Sequence, residues 1–298
     1  MTRLAKHQAA FALFWAASLL VGWRPLVEVF ALSSRNDEYT YVLLILPISA
    51  ALIFLERRAL RPLVTLNVRS GSALLVAAVL ITCMSLAWPA LSGDAQLSIR
   101  MLALVLSWMG AFEFCFGSRA SRLVSFPLCF LFGLVPPPQH LLVAIVALLQ
   151  QGSAWTAYLL FAAFGIPVAQ DGVLLTIPGL TLKVAQECSS IRSSLMLLVT
   201  TMVLAHLLLR SPWRKALLVA LAIPLSVAKN GLRIFTIAML GTRADPGYLT
   251  GRFHRQGGIV FFAIALFGIF TLLWILQRGE DLPLETGLSP AKSNATGY

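Results

Sequence analysis

The sequence predicts an all-α polytopic membrane protein with about eight transmembrane helices, one re-entrant or interfacial helix and a small external β-hairpin. Hydrophobic residues fill 58% of its 298 positions and charged ones only 12%, so a water-soluble globule of this length would carry a largely apolar surface. Many of the apolar residues form runs close to the ~20 needed to cross a bilayer. The formal charge of +11 is spread as short clusters between those runs rather than along one stripe with interleaved aromatics. That pattern reads as membrane topology, so the lipid bilayer is an expected partner and nucleic acid is not.

In chain order the expected spans lie near 9–23 (extending toward 32), 39–55, 71–91, 97–117, 123–135, 188–209, 216–241 and 255–277. The first resembles a signal peptide, with Arg3 and Lys6 ahead of an apolar run, but Arg24-Pro25 follows in place of a small-residue cleavage site, so it reads as an uncleaved span. The 123–135 piece is short and ends at Pro136-Pro137-Pro138, which cannot continue a helix. The segment 140–165 has Gln150-Gln151-Gly152-Ser153 at its centre, poor for a lipid-exposed span, and is expected to be re-entrant or interfacial. The clusters at Arg3/Lys6, Arg57–Arg69, Arg119/Arg122, Arg210–Lys215 and Arg278 then share one side, the cytoplasm by the positive-inside rule, with both termini there. Residues 1–278 read as a single membrane domain with a catalytic core at about 123–277, and 279–298 as a disordered cytoplasmic tail.

This topology sets three chemically capable residues near the external leaflet. Cys188 stands at the polar start of an apolar helix, where unpaired N–H groups and the positive end of the macrodipole favour a thiolate, and Arg192 adds a charge one turn on. Arg233 lies inside an apolar span with Asn230 on the same face, a placement that usually marks a protein interior or a water-filled cavity. His254 begins the last span and could exchange a proton at neutral pH. Cys83, Cys115 and Cys129 read as small apolar residues within or near spans, without metal-site spacing. Between 165 and 184, Val173–Ile177 and Leu180–Val184 flank Pro178-Gly179, as in a hairpin whose edge could accept an extended peptide.

The segments Glu187-Cys188-Ser189-Ser190-Ile191-Arg192, Pro224…Asn230-Gly231-Leu232-Arg233 and His254…Gly257-Gly258…Phe261 resemble the exosortase/archaeosortase family of membrane cysteine transpeptidases. Val135-Pro136-Pro137-Pro138 and the Gly165-to-Pro178 stretch resemble it too, so the similarity covers about 35–277. Ser190 stands where the family usually has glycine, and the acid adjoins the cysteine as Glu187, with Gln186 at the usual acidic position.

The resemblance implies a catalytic set of Cys188, Arg233 and His254, supported by Arg192, Asn230, Glu187 and Ser189. It also implies exported protein partners with a C-terminal sorting signal: a short Pro-Glu-Pro-like motif, a transmembrane helix and a basic cluster. Cleavage would take place at the outer face of the cytoplasmic (inner) membrane. No metal or organic cofactor is called for. A competing reading is a transporter or exopolysaccharide-export component, in which Asn230, Arg233 and His254 line a substrate path. The absence of an internal repeat of span pattern weighs against it.

Overall fold

The computed structural model describes residues 3–87, 93–184, 190–243, 247 and 258–281. Its helices are α1 (Arg3–Arg35), α2 (Val42–Leu55), α3 (Arg57–Leu60), α4 (Val68–Ala87), α5 (Gly93–Phe116), α6 (Ser118–Leu123), α7 (Ser125–Phe130), α8 (Gln139–Ala163), α9 (Ser190–Leu208), α10 (Pro212–Arg243) and α11 (Gly258–Asp281). Short 3-10 turns at Asp37–Tyr39 and Leu131–Leu134 precede α2 and follow α7. Among the described residues, eight helical segments are long and apolar enough to cross a membrane.

The roster of eight differs in one place from the sequence expectation. Ser125–Leu134 is an apolar helical piece too short to span, whereas the 25 residues of Gln139–Ala163 are long enough. α8 runs parallel to α10: Gly152 faces Val227, Thr156 faces Gly231, and Phe161 packs on Phe235. The short piece instead threads between α2 and α5, with Gly133 against Ile45 and the Pro136 carbonyl accepting a 2.8 Å hydrogen bond from Ser98. The polar centre of α8 is accommodated locally. Ser153 is buried and donates to the Leu149 carbonyl, and Gly152 lies against Val227, leaving Gln151 as the exposed amide.

α5 is the most enclosed span, with half of its apolar window buried, and α1 and α4 pack against it. Glycines set the α4–α5 distance: a Cβ on Gly71 would lie 2.6 Å from the Phe114 backbone, and one on Gly110 would lie 3.0 Å from Leu74 and Leu75. In lipid, where apolar surface gains little by being covered, such close backbone approach is a main source of helix association. α1 continues through Pro25 to Arg35, because Val29 and Ser33 beyond the proline are buried and Leu26 and Leu32 pack on the main core. α11 is mostly lipid-facing in character, with only 22% of its strongly apolar window buried.

The expected hairpin is present as β2 (Leu174–Ile177) and β3 (Leu180–Lys183), joined across Pro178 and a positive-φ Gly179. A further strand, β1 (Ala169–Asp171), makes it a three-stranded antiparallel sheet in the order β1-β2-β3. Its inner face, Leu175 and Ile177, packs with Phe161 of α8 and Ala238 of α10. The sheet therefore sits on the end of the bundle where α8 and α10 finish.

Candidate functional site

Ser226, Lys229, Asn230 and Arg233 follow the i, i+3, i+4, i+7 spacing of a single helix face, and all four are buried on α10. Arg233 is 5% exposed, Lys229 5% and Asn230 1%. α9 meets this stripe with hydroxyls of its opening turns: Ser226 donates to Ser194, and the Lys229 ammonium donates to Ser193. These bonds pair the polar face of α10 with the opening turns of α9, antiparallel to it. Asn230 Nδ2 is buried and finds no acceptor among the described residues.

Beside the stripe lies a cavity of about 80 Å³, bounded by Leu182, Lys183 and Val184 of the β3 end and by Asn230, Arg233 and Ile234 of α10. From α10, a guanidinium and a carboxamide able to donate hydrogen bonds thus stand at a small, mostly apolar space under the sheet. Gly231 makes this possible. A Cβ there would lie 2.5 Å from Thr156 Cβ and 3.1 Å from the Ala157 nitrogen, so the residue between Asn230 and Leu232 lets α8 close on α10.

The structure places Asn230 and Arg233 together on the buried face of α10 and pairs Arg192 with Asp37. Arg192 Nη1 is 3.1 Å from Asp37 Oδ1, and both side chains are more than half exposed. Asp37 belongs to the 3-10 turn between α1 and α2, a contact 155 residues away in sequence that no local pattern encodes. The helix expected to open at Cys188 is described from Ser190. Glu187, Cys188, Ser189 and His254 lie outside the described residues. Cys83, Cys115 and Cys129 are free thiols on α4, α5 and α7.

The sequence singles out Asn230 and Arg233 in this seam, whereas Ser226, Ser193 and Ser194 escaped notice. The signal was available: the four-residue polar stripe repeats at helical spacing through an otherwise apolar span, and Ser190, Ser193 and Ser194 follow the i, i+3, i+4 spacing in the sequence.

These features define a polytopic membrane protein with a polar, donor-bearing seam buried near one end of its bundle. Residues 32–271 match the family model described as transmembrane exosortase (Exosortase_EpsH), and the chain belongs to that family. No curated protein and no solved structure gives a significant match.

Proposed function

We propose that this exosortase is a membrane-embedded cysteine transpeptidase that cleaves C-terminal sorting signals of exported proteins at the outer face of the cytoplasmic membrane. The observation that carries the reading is Arg233 and Asn230 buried together at the cavity under the sheet. Chain connectivity supports it. Cys188 is two residues, at most about 7 Å of extended chain, from Ser190 at the start of α9, and four residues from Val184 in the cavity wall. His254 is four residues from the start of α11, whose Gly268 packs on Leu225 of α10.

In this mechanism the Cys188 thiolate attacks the scissile carbonyl carbon and the carbonyl π electrons move to oxygen. Arg233, with the Asn230 carboxamide as a second donor, stabilises that oxyanion. Collapse of the tetrahedral intermediate expels the amine, to which His254 gives a proton, and leaves an acyl thioester on Cys188. An acceptor amine or water then resolves the thioester. The carbonyl end of the substrate would reach the thiol along the free edge of β3, by strand addition. Glu187 and Ser189 flank the thiol as supporting groups.

The test is processing of a co-expressed substrate with a sorting tail, read as a size shift, in wild type, Cys188→Ala, Cys188→Ser and Arg233→Ala at matched membrane levels. Loss of the shift in all three variants is expected. Full processing by Cys188→Ala would end the cysteine mechanism and favour a transport role.

A further inference from the structure

At the opposite end of the bundle, α1, α2, α5 and α7 enclose a second and larger pocket of about 540 Å³, a volume typical of ligand sites. Its depth is apolar, walled by Trp15, Trp108 and Leu128, and its rim carries Arg57 and Arg61. Glu56, the acid next to Arg57, does not line it. None of these residues belongs to the seam near Arg233. Arg57 opens α3 beyond the far end of α2, a full helix away from Asp37, which touches Arg192.

Two details describe what the pocket would take. Arg57, the first residue of α3, is folded back over the end of α2, with its guanidinium carbon 3.6 Å from the centre of the Phe54 ring, which draws the charge down to the last turn of α2. Five residues below Phe54, Ser49 is 2% exposed and lines the pocket, and its hydroxyl has no partner among the described residues. An arginine drawn down to the level of Phe54 and a hydroxyl about 7.5 Å deeper along the helix match the order of groups in a glycerophospholipid: phosphate first, then acyl ester, then chain.

We propose that this pocket holds an anionic phospholipid of the adjoining leaflet, with its phosphate on Arg57 and Arg61, its ester near Ser49 and one acyl chain against Trp15 and Trp108. A transmembrane peptide with a basic cluster at this level would meet two like charges, so charge complementarity selects lipid over a peptide tail. The site is remote from the proposed thiol chemistry and stands independently of it.

Trp108 is 4% exposed, so bulk lipid does not reach it and a chain in the pocket does. In a full-length variant with the other six tryptophans changed to Phe, Trp108 fluorescence reports occupancy by brominated lipid. Dibrominated phosphatidylglycerol and dibrominated phosphatidylcholine are titrated separately into unbrominated phosphatidylcholine vesicles. Phosphatidylglycerol should reach half-quenching at a mole fraction at least about tenfold lower, since each arginine near an anionic headgroup contributes about fivefold. Arg57→Gln/Arg61→Gln should erase the difference, and Ala50→Phe, which fills the pocket, should abolish quenching by both lipids. Equal quenching by the two lipids, or selectivity that survives the double substitution, overturns the proposal. If the tryptophan-reduced chain does not fold, native mass spectrometry of the unmodified chain decides: one phosphatidylglycerol retained, and lost in the double variant, is the expected result, and none retained overturns it.

Discussion

Lys229 of α10 donates a hydrogen bond to Ser193 of α9, and that bond ties the helix following Cys188 to the helix carrying Arg233. Lys229 is 5% exposed and stands one turn from Arg233, so α10 places two cations at i and i+4 on one buried face. Like charges at that spacing oppose folding, and burying an ammonium opposes it further.

Replacing Lys229 with Met keeps the stem and removes the charge. The expected result is a thermal midpoint equal to or above that of wild type, because the loss of desolvation and repulsion offsets a hydrogen bond worth about 1.5–3 kcal/mol. Processing of a sorting-tail substrate should nevertheless fall by about tenfold or more, as the start of α9 loses its tether to the Arg233 face. A lower midpoint together with unchanged processing would show that Lys229 serves stability alone.

What the sequence revealed and what it hid divide along physical lines. The spans were legible because apolar run length is a local property, and the hairpin because Pro178-Gly179 fixes a turn between two β-branched stretches. Arg233 was legible because a charge in an apolar run is costly unless sheltered. The exchange of 123–135 for Gln139–Ala163 was not. It depends on Gly152 fitting against Val227, a property of the neighbouring helix, and on Ser153 turning its hydroxyl back to the Leu149 carbonyl, which polar composition alone does not reveal. β1 escaped notice because three residues carry too little pattern, and the Arg192–Asp37 pair because its partner is 155 positions away.

That pair gives the next prediction. Both side chains are more than half exposed, so the contact contributes no more than about 1 kcal/mol to stability. Asp37→Arg and Arg192→Asp each place like charges together, and the double swap restores an attractive pair. Thermal midpoint should recover in the double variant. Processing should not, because the charge four residues after Cys188 in sequence is then negative and would disfavour the proposed thiolate. Recovery of both quantities would reduce Arg192 to a surface contact.

Orientation is testable without substrate. In a chain stripped of its native cysteines, a cysteine at Asp171, in β1, should react with a membrane-impermeant maleimide in intact cells. One at Arg58 or Arg119 should react only after permeabilisation, as the basic clusters dictate. Labelling in the reverse order would put the cavity under the sheet on the cytoplasmic face and remove access to exported proteins.

Gly231 supplies the sharpest structural test. Its missing side chain lets Thr156 and the Ala157 backbone approach α10 between Asn230 and Leu232, and an added Cβ would lie 2.5 Å from Thr156 Cβ. Gly231→Ala gains helix propensity but overpacks the contact, so its net effect should be destabilisation by about 1–3 kcal/mol, read as a lower thermal midpoint in detergent. Gly231→Leu should lose both fold and processing. Removing the opposing Cβ isolates the cause: Gly231→Ala combined with Thr156→Gly should recover much of the loss, even though a glycine within α8 costs about 1 kcal/mol by itself. Additive losses in the double variant would mean that Gly231 acts through backbone freedom rather than through close approach, and the distance between α8 and α10 would then have to be set elsewhere along the pair.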